Sequence, residues 1–141
     1  ANVLIALHAC DTATDDAIYK GITSNSDLIV VAPCCHKQIR RELEQHKTKN
    51  DLDFLVKHGI FLERHAEMLT DGLRSLILEY CGYNTKVFQF ISDAHTPKNV
   101  MIVAEKKPKT DAQKQEILNK LKETKKYFGI GSHYLEKLMG L

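Results

Sequence analysis

Cys34, Cys35, His36 and Lys37 place two thiols, an imidazole and an ammonium at consecutive positions, and His8, Cys10 and Asp11 form a second reactive group near the start of the chain. Three chemistries suit such residues: zinc ligation, a nucleophilic thiolate, and the wall of an active site. Structural zinc draws on ligands two to four residues apart, because adjacent side chains diverge. Cys34 and Cys35 on an extended segment would point to opposite sides, so no metal is expected there. A thiolate needs a lowered pKa, which His36, Lys37 and a following helix N-terminus could supply. Cysteine is also a small apolar residue suited to the crowded end of a strand. The reading preferred is a wall from Pro33 to Lys37, with one cysteine inward and His36 or Lys37 toward substrate. Asp11 is open between chemistry and capping, since it or Thr12 could cap the following helix and one residue could do both.

The elements that must hold these residues can be read from the pattern. Val3 to His8 ("VLIALH") and Asp27 to Ala32 ("DLIVVA") are short apolar runs of the kind found in strands buried on both faces. Between them Thr12 and Asp15 have capping-box spacing, which predicts a helix from Ala13 to Lys20 with Gly21 as its stop. Strand, helix, strand makes a βαβ unit with parallel strands and a right-handed crossover. The loops His8 to Thr12 and Pro33 to Lys37 follow neighbouring strands, so they meet at the carboxyl ends, where open α/β sheets bind ligands.

Pro33 ends the second strand, and Lys37 to Glu44 reads as a helix. Leu62, Ala66, Leu69, Leu73, Leu76, Ile77 and Tyr80 step by three and four, predicting a helix from Glu63 to Tyr80 with Glu63, Arg64, Glu67, Asp71 and Arg74 outward and Gly82 near its C-cap. "KVFQFIS" and "NVMIVAEK" read as two strands joined through "DAHTPK", paired antiparallel. After Pro108 a lysine-rich helix carries Ile117, Leu118, Leu121 and Phe128 on one side. Gly129 and Gly131 break it, and Ser132 opens a last helix ending near Met139.

Composition excludes several classes. The 141 residues allow one domain, 43% hydrophobic and 27% charged, with a net charge of +2 that does not by itself argue for nucleic acid. No apolar run approaches the ~20 residues of a membrane span. The cysteines Cys10, Cys34, Cys35 and Cys81 have no framework spacing, and reduced thiols in a cytoplasmic protein are expected. Ala1 leads straight into the first strand, which reads as a cut within a longer protein.

Together "ALHACDTATDDAI", "VVAPCCHKQIRREL" and "HTPKNVMIV" resemble the C-terminal half of a class I S-adenosylmethionine-dependent methyltransferase, in the family that includes methyltransferase-like 25 and ribosomal-RNA-adenine-dimethylase-like proteins. The resemblance runs from about Val3 to Glu105. It implies an α/β fold, half of a Rossmann-like sheet with two parallel strands and an antiparallel hairpin, flanked by helices. The strands are expected in the order first, second, fourth, third, with only the fourth reversed. It assigns residues 1–107 to the half-domain and 108–141 to a C-terminal helical extension.

The glycine-rich loop and ribose-gripping acid of such enzymes belong to the first half and are not in this sequence. What the resemblance implies here is a cofactor edge at Leu7, His8, Ala9, Cys10 and Thr12, proton handling by Asp11 and His36, and a substrate pocket of Pro33, Cys34, Cys35 and Lys37. The cofactor would be S-adenosylmethionine, bound weakly or not at all by this chain alone, which is expected to be inactive. The acceptor would be RNA or protein. The alternative is a non-catalytic interaction module that keeps the half-fold.

The lysines from Lys106 to Lys126 could touch an RNA backbone, but the solvated face of an amphipathic helix is preferred. His65 and His95 are expected in surface or capping roles. Val3 to His8 would be an unprotected edge strand, without charge or proline, and is expected to pair antiparallel with a second copy in a two-fold homodimer.

Overall fold

The apolar runs near the start of the chain become parallel neighbours. The computed structural model describes residues 2–9, 12–33, 37–46, 58–89 and 100–141. The elements run β1 (Val3–Ala9), α1 (Thr12–Thr23), β2 (Leu28–Pro33), α2 (Lys37–His46), α3 (Gly59–Tyr80), β3 (Tyr83–Gln89), β4 (Val100–Lys106), α4 (Asp111–Phe128) and α5 (Tyr134–Met139). The four strands form one mixed sheet in the order β1-β2-β4-β3. β1 and β2 pair in parallel, and β4 runs antiparallel to both β2 and β3. Order and direction agree with the expectation. The "DAHTPK" connection lies outside the described residues.

Register sorts the side chains by face, because paired residues point the same way. Leu4 pairs with Ile29 and Ala6 with Val31, while Ile29 and Val31 pair with Ala104 and Ile102. This row joins Ile18 of α1, Leu73 and Ile77 of α3, Leu121 of α4 and Leu135 of α5 in one core. The C-terminal helices therefore close the same core as the sheet.

The opposite face differs from the expectation that β1 is buried on both sides. Val3, Ile5 and Leu7 are 53%, 62% and 53% exposed. α1 packs on β1 and β2 and α3 on β3 and β4, against the face that carries the core. A continuous apolar run does not by itself tell which of its two faces is covered.

Gly21 does not stop α1. The helix continues to Thr23, and a Cβ on Gly21 would sit 2.8 Å from Cδ1 of Ile29. The glycine lets α1 lie close against β2. The chain turns instead at Asn25, in the left-handed region at φ 58.

α3 starts at Gly59, a turn before the expected Glu63. Its apolar stripe is as read, but Asp71 and Arg74 are buried rather than outward. They pair within the interior, which makes the buried stripe wider than its apolar residues. His65 is also buried rather than on the surface, and packs its ring 4.9 Å from that of Phe128. α4 is capped by Thr110 in a reciprocal capping box with Gln113, and ends at Gly129 in the left-handed conformation at φ 71. His133, not Ser132, caps α5.

Candidate functional site

The described part of the candidate site is the pair of strand ends where β1 and β2 stop side by side. Leu7 pairs with Ala32, the register then shifts, and Ala9 pairs with Pro33. α1 starts at Thr12 and α2 at Lys37, so two and three residues respectively separate each strand from its helix. β3 runs parallel to β1 and β2, which puts its end at Gln89 on the same side of the sheet.

Leu7 lies on the open face of the sheet, Pro33 is buried, Thr12 is half-buried and Lys37 is exposed. His8 and Ala9 complete β1, but their side chains lie outside the description. Cys10, Asp11, Cys34, Cys35 and His36 also lie outside the described residues, as does His95. Among the described residues no three metal-ligating side chains converge. Thr12 is the first residue of α1, and Asp15, three residues on, turns inward to Arg74.

Behind the strand ends is an ionic cluster that sequence reasoning missed. Arg74 Nε donates to Asp15 Oδ1 at 2.7 Å and its Nη2 to Asp15 Oδ2 at 3.3 Å, while Nη1 donates to Asp71 Oδ1 at 3.1 Å. His133 is fully buried beside it, with Nδ1 3.9 Å from Asp15 Oδ1. That nitrogen accepts from the Leu135 N–H at 3.0 Å, so the ring proton sits on Nε2, which has no partner.

Burial raises the Asp15 carboxyl despite Arg74, and pushes Asp71 up to about 6 with Arg74 opposing in part. Burial works against the Arg74 charge, yet Asp15 and Asp71 together hold it above its ordinary value. Burial and then the Arg74 charge drive His133 down to about 3, so the imidazole is neutral. The cluster is buried and fastens α1, α3 and the start of α5, with Asp71 at its edge. Two signals were available: Asp71 and Arg74 at i,i+3 spacing, and Glu136 three residues after His133.

Cys81 is a described thiol, raised to about 11 by burial, which makes it a packing residue and not a nucleophile. Toward the same end of the sheet, a hollow of about 370 Å³ between α3 and the β3–β4 pair is lined by Arg64, Glu67, Met68, Asp71, Gly72, Val87 and Val100. No described helix is long and apolar enough to cross a membrane.

A model of the family described as Methyltransferase domain matches residues 1–42, which take in β1, α1, β2 and the first part of α2. The glutathione S-transferase C-terminal domain-containing proteins of Macaca fascicularis and Homo sapiens are each 28% identical to the chain over an alignment covering 72% of it. The chain spans 19% of the length of these relatives. No solved structure matches it. The matched segment is the one that carries both strand ends, and it resembles the general methyltransferase domain rather than one subfamily.

Proposed function

We propose that this chain is the C-terminal half of a class I S-adenosylmethionine-dependent methyltransferase domain, of the kind that includes methyltransferase-like 25 and ribosomal-RNA-adenine-dimethylase-like proteins. The observation that carries the reading is the strand order β1-β2-β4-β3 with β4 alone reversed. The partial family match over residues 1–42 supports it. On this reading an upstream half adds a strand beside β1, covers Val3, Ile5 and Leu7, and brings the glycine-rich loop and the ribose-gripping acid. The 108–141 extension belongs to the domain as a helical cover. The acceptor is RNA or protein, the compartment the cytoplasm, and this chain alone is inactive.

The described residues do not by themselves make a fit for the cofactor. Leu7 and Pro33 are apolar, Thr12 has one hydroxyl and Lys37 is a cation, so no carboxylate among them could hold ribose hydroxyls. In the proposed enzyme His8, Ala9 and Cys10 extend the cofactor edge, Cys34 and Cys35 line the acceptor side, and Asp11 or His36 takes a proton from the acceptor atom where one must be lost.

A second reading is a non-catalytic interaction module, favoured by the exposed apolar row on β1. In either case β1 of the isolated chain pairs antiparallel with a second copy. Hydrogen exchange at the β1 amides that face away from β2 separates the readings. In a longer chain these amides should be slow at every concentration, because a covalently linked strand covers them. In this chain they should be slow only when concentrated. Fast exchange in the longer chain would sink the half-domain reading.

A further inference from the structure

Two helices start within three residues of the strand ends, and the same short C-terminal segment grips both. Gln38, in the first turn of α2, donates through Nε2 to the Ser132 carbonyl at 2.8 Å and accepts at Oε1 from the Tyr134 N–H at 3.0 Å. Tyr134 in turn donates its hydroxyl to Asp16 Oδ1, the fifth residue of α1, at 3.0 Å. Between these two grips His133 is buried next to Asp15, itself held by Arg74.

The segment is rigid for identifiable reasons. Ile130 and Leu135 are core residues on either side of it. The His133 ring accepts from Leu135 N–H while Glu136 Oε1 accepts from His133 N–H at 2.8 Å. Glu136 also binds Lys125 of α4 at 2.7 Å. A segment fixed to the core at both ends transmits a displacement from one helix to the other.

We propose that Ile130–Leu135 is a positioning strap that locks the N-terminal parts of α1 and α2 to each other beside the paired strand ends, with Gln38, Asp16 and Tyr134 as its positioning residues. Its functional meaning rests on the proposed reading of those strand ends as the site. The strap itself is a statement about coupling and is tested without any cofactor.

The test is hydrogen exchange at the first amides bonded within each helix, Asp16–Tyr19 in α1 and Arg41–Leu43 in α2. Tyr134→Phe removes only the contact to α1, and Gln38→Ala removes only contacts to α2 and the strap. A strap predicts crossed effects: Tyr134→Phe speeds exchange in α2, and Gln38→Ala speeds it in α1. Each effect should be about fivefold, the worth of one net hydrogen bond, with Ile77 and Leu78 deep in α3 unchanged.

Asp16→Ala should reproduce Tyr134→Phe, and Asp16→Asn, which keeps an acceptor oxygen, should restore native exchange in α2. Effects confined to the helix that lost its contact, or no effect in either helix, would overturn the strap. So would uniform acceleration that includes Ile77 and Leu78. Absence of S-adenosylmethionine binding by a longer chain would sink the proposed function and leave the strap in place.

Discussion

Arg74 of α3 holds Asp15 of α1 through two hydrogen bonds at 2.7 and 3.3 Å, with both residues 2% exposed or less. The pair joins a helix that follows β1 to a helix that precedes β3, so it ties the two halves of the sheet's helical layer together. A buried pair of this kind is worth little over apolar residues of the same shape, but breaking it leaves an unpaired charge inside.

Arg74→Ala should therefore cost about 3–5 kcal/mol of unfolding free energy, far more than an exposed arginine would. The triple variant Asp15→Leu, Asp71→Leu, Arg74→Met should recover most of that loss. Urea unfolding monitored by circular dichroism gives both numbers. A loss below about 1 kcal/mol for Arg74→Ala would mean that the pair is solvated in solution.

Two buried groups give stability opposite slopes with pH. Asp71 titrates at about 6 in the fold against an ordinary 3.8, so its contribution is complete below 3.8 and is lost as pH rises through 6. His133 titrates at about 3 against an ordinary 6.5, so its contribution is complete above 6.5 and is lost as pH falls toward 3. Each slope is at most about 1.4 kcal/mol per pH unit. Asp71→Asn should remove part of the loss on raising pH through 6, the raised Asp15 carboxyl contributing with the same sign. His133→Asn, which keeps a capping oxygen, should remove part of the loss below 6.5. Unfolding midpoints measured across this range check both signs.

Gly21→Ala should destabilise the chain by about 1 kcal/mol, although alanine is the better helix former by a similar amount. The new methyl would meet Ile29 Cδ1 and Cγ1 at 2.8 and 2.9 Å, inside the core. Ile29→Val in the same chain should recover part of the loss. Stabilisation by Gly21→Ala alone would show that α1 and β2 can separate without cost.

These results show what the pattern could and could not convey. The strand order was legible because a βαβ unit followed by a hairpin leaves few topologies. The long stripe of α3 was legible because Leu62, Ala66, Leu69, Leu73 and Ile77 keep helical spacing and are all buried. Asp71 and Arg74 were misplaced because charge suggests solvent, and only the partner 59 residues away reveals the interior pairing. Gly21 was misread because a glycine that ends a helix and one that lets a helix approach a strand look alike in sequence. At the strand ends, Leu7, Thr12, Pro33 and Lys37 can be placed, but the residues with the most chemistry lie outside the described ones.

The exposed row on β1 should make this chain self-associate as its concentration rises. Ile5 is the most exposed of the three, and Ile5→Lys should return the chain to a monomer without loss of stability. Sedimentation velocity reads the mass directly. A monomer at high concentration for the unaltered chain would contradict edge pairing.

Calorimetric titration with S-adenosylmethionine decides whether the strand ends belong to half of a methyltransferase. A longer chain carrying about 100 upstream residues, the balance of a one-domain fold, should bind with a micromolar dissociation constant, about 8 kcal/mol, and this chain should bind far more weakly or not at all. No heat of binding from the folded longer chain, or micromolar binding by this chain alone, would contradict the account.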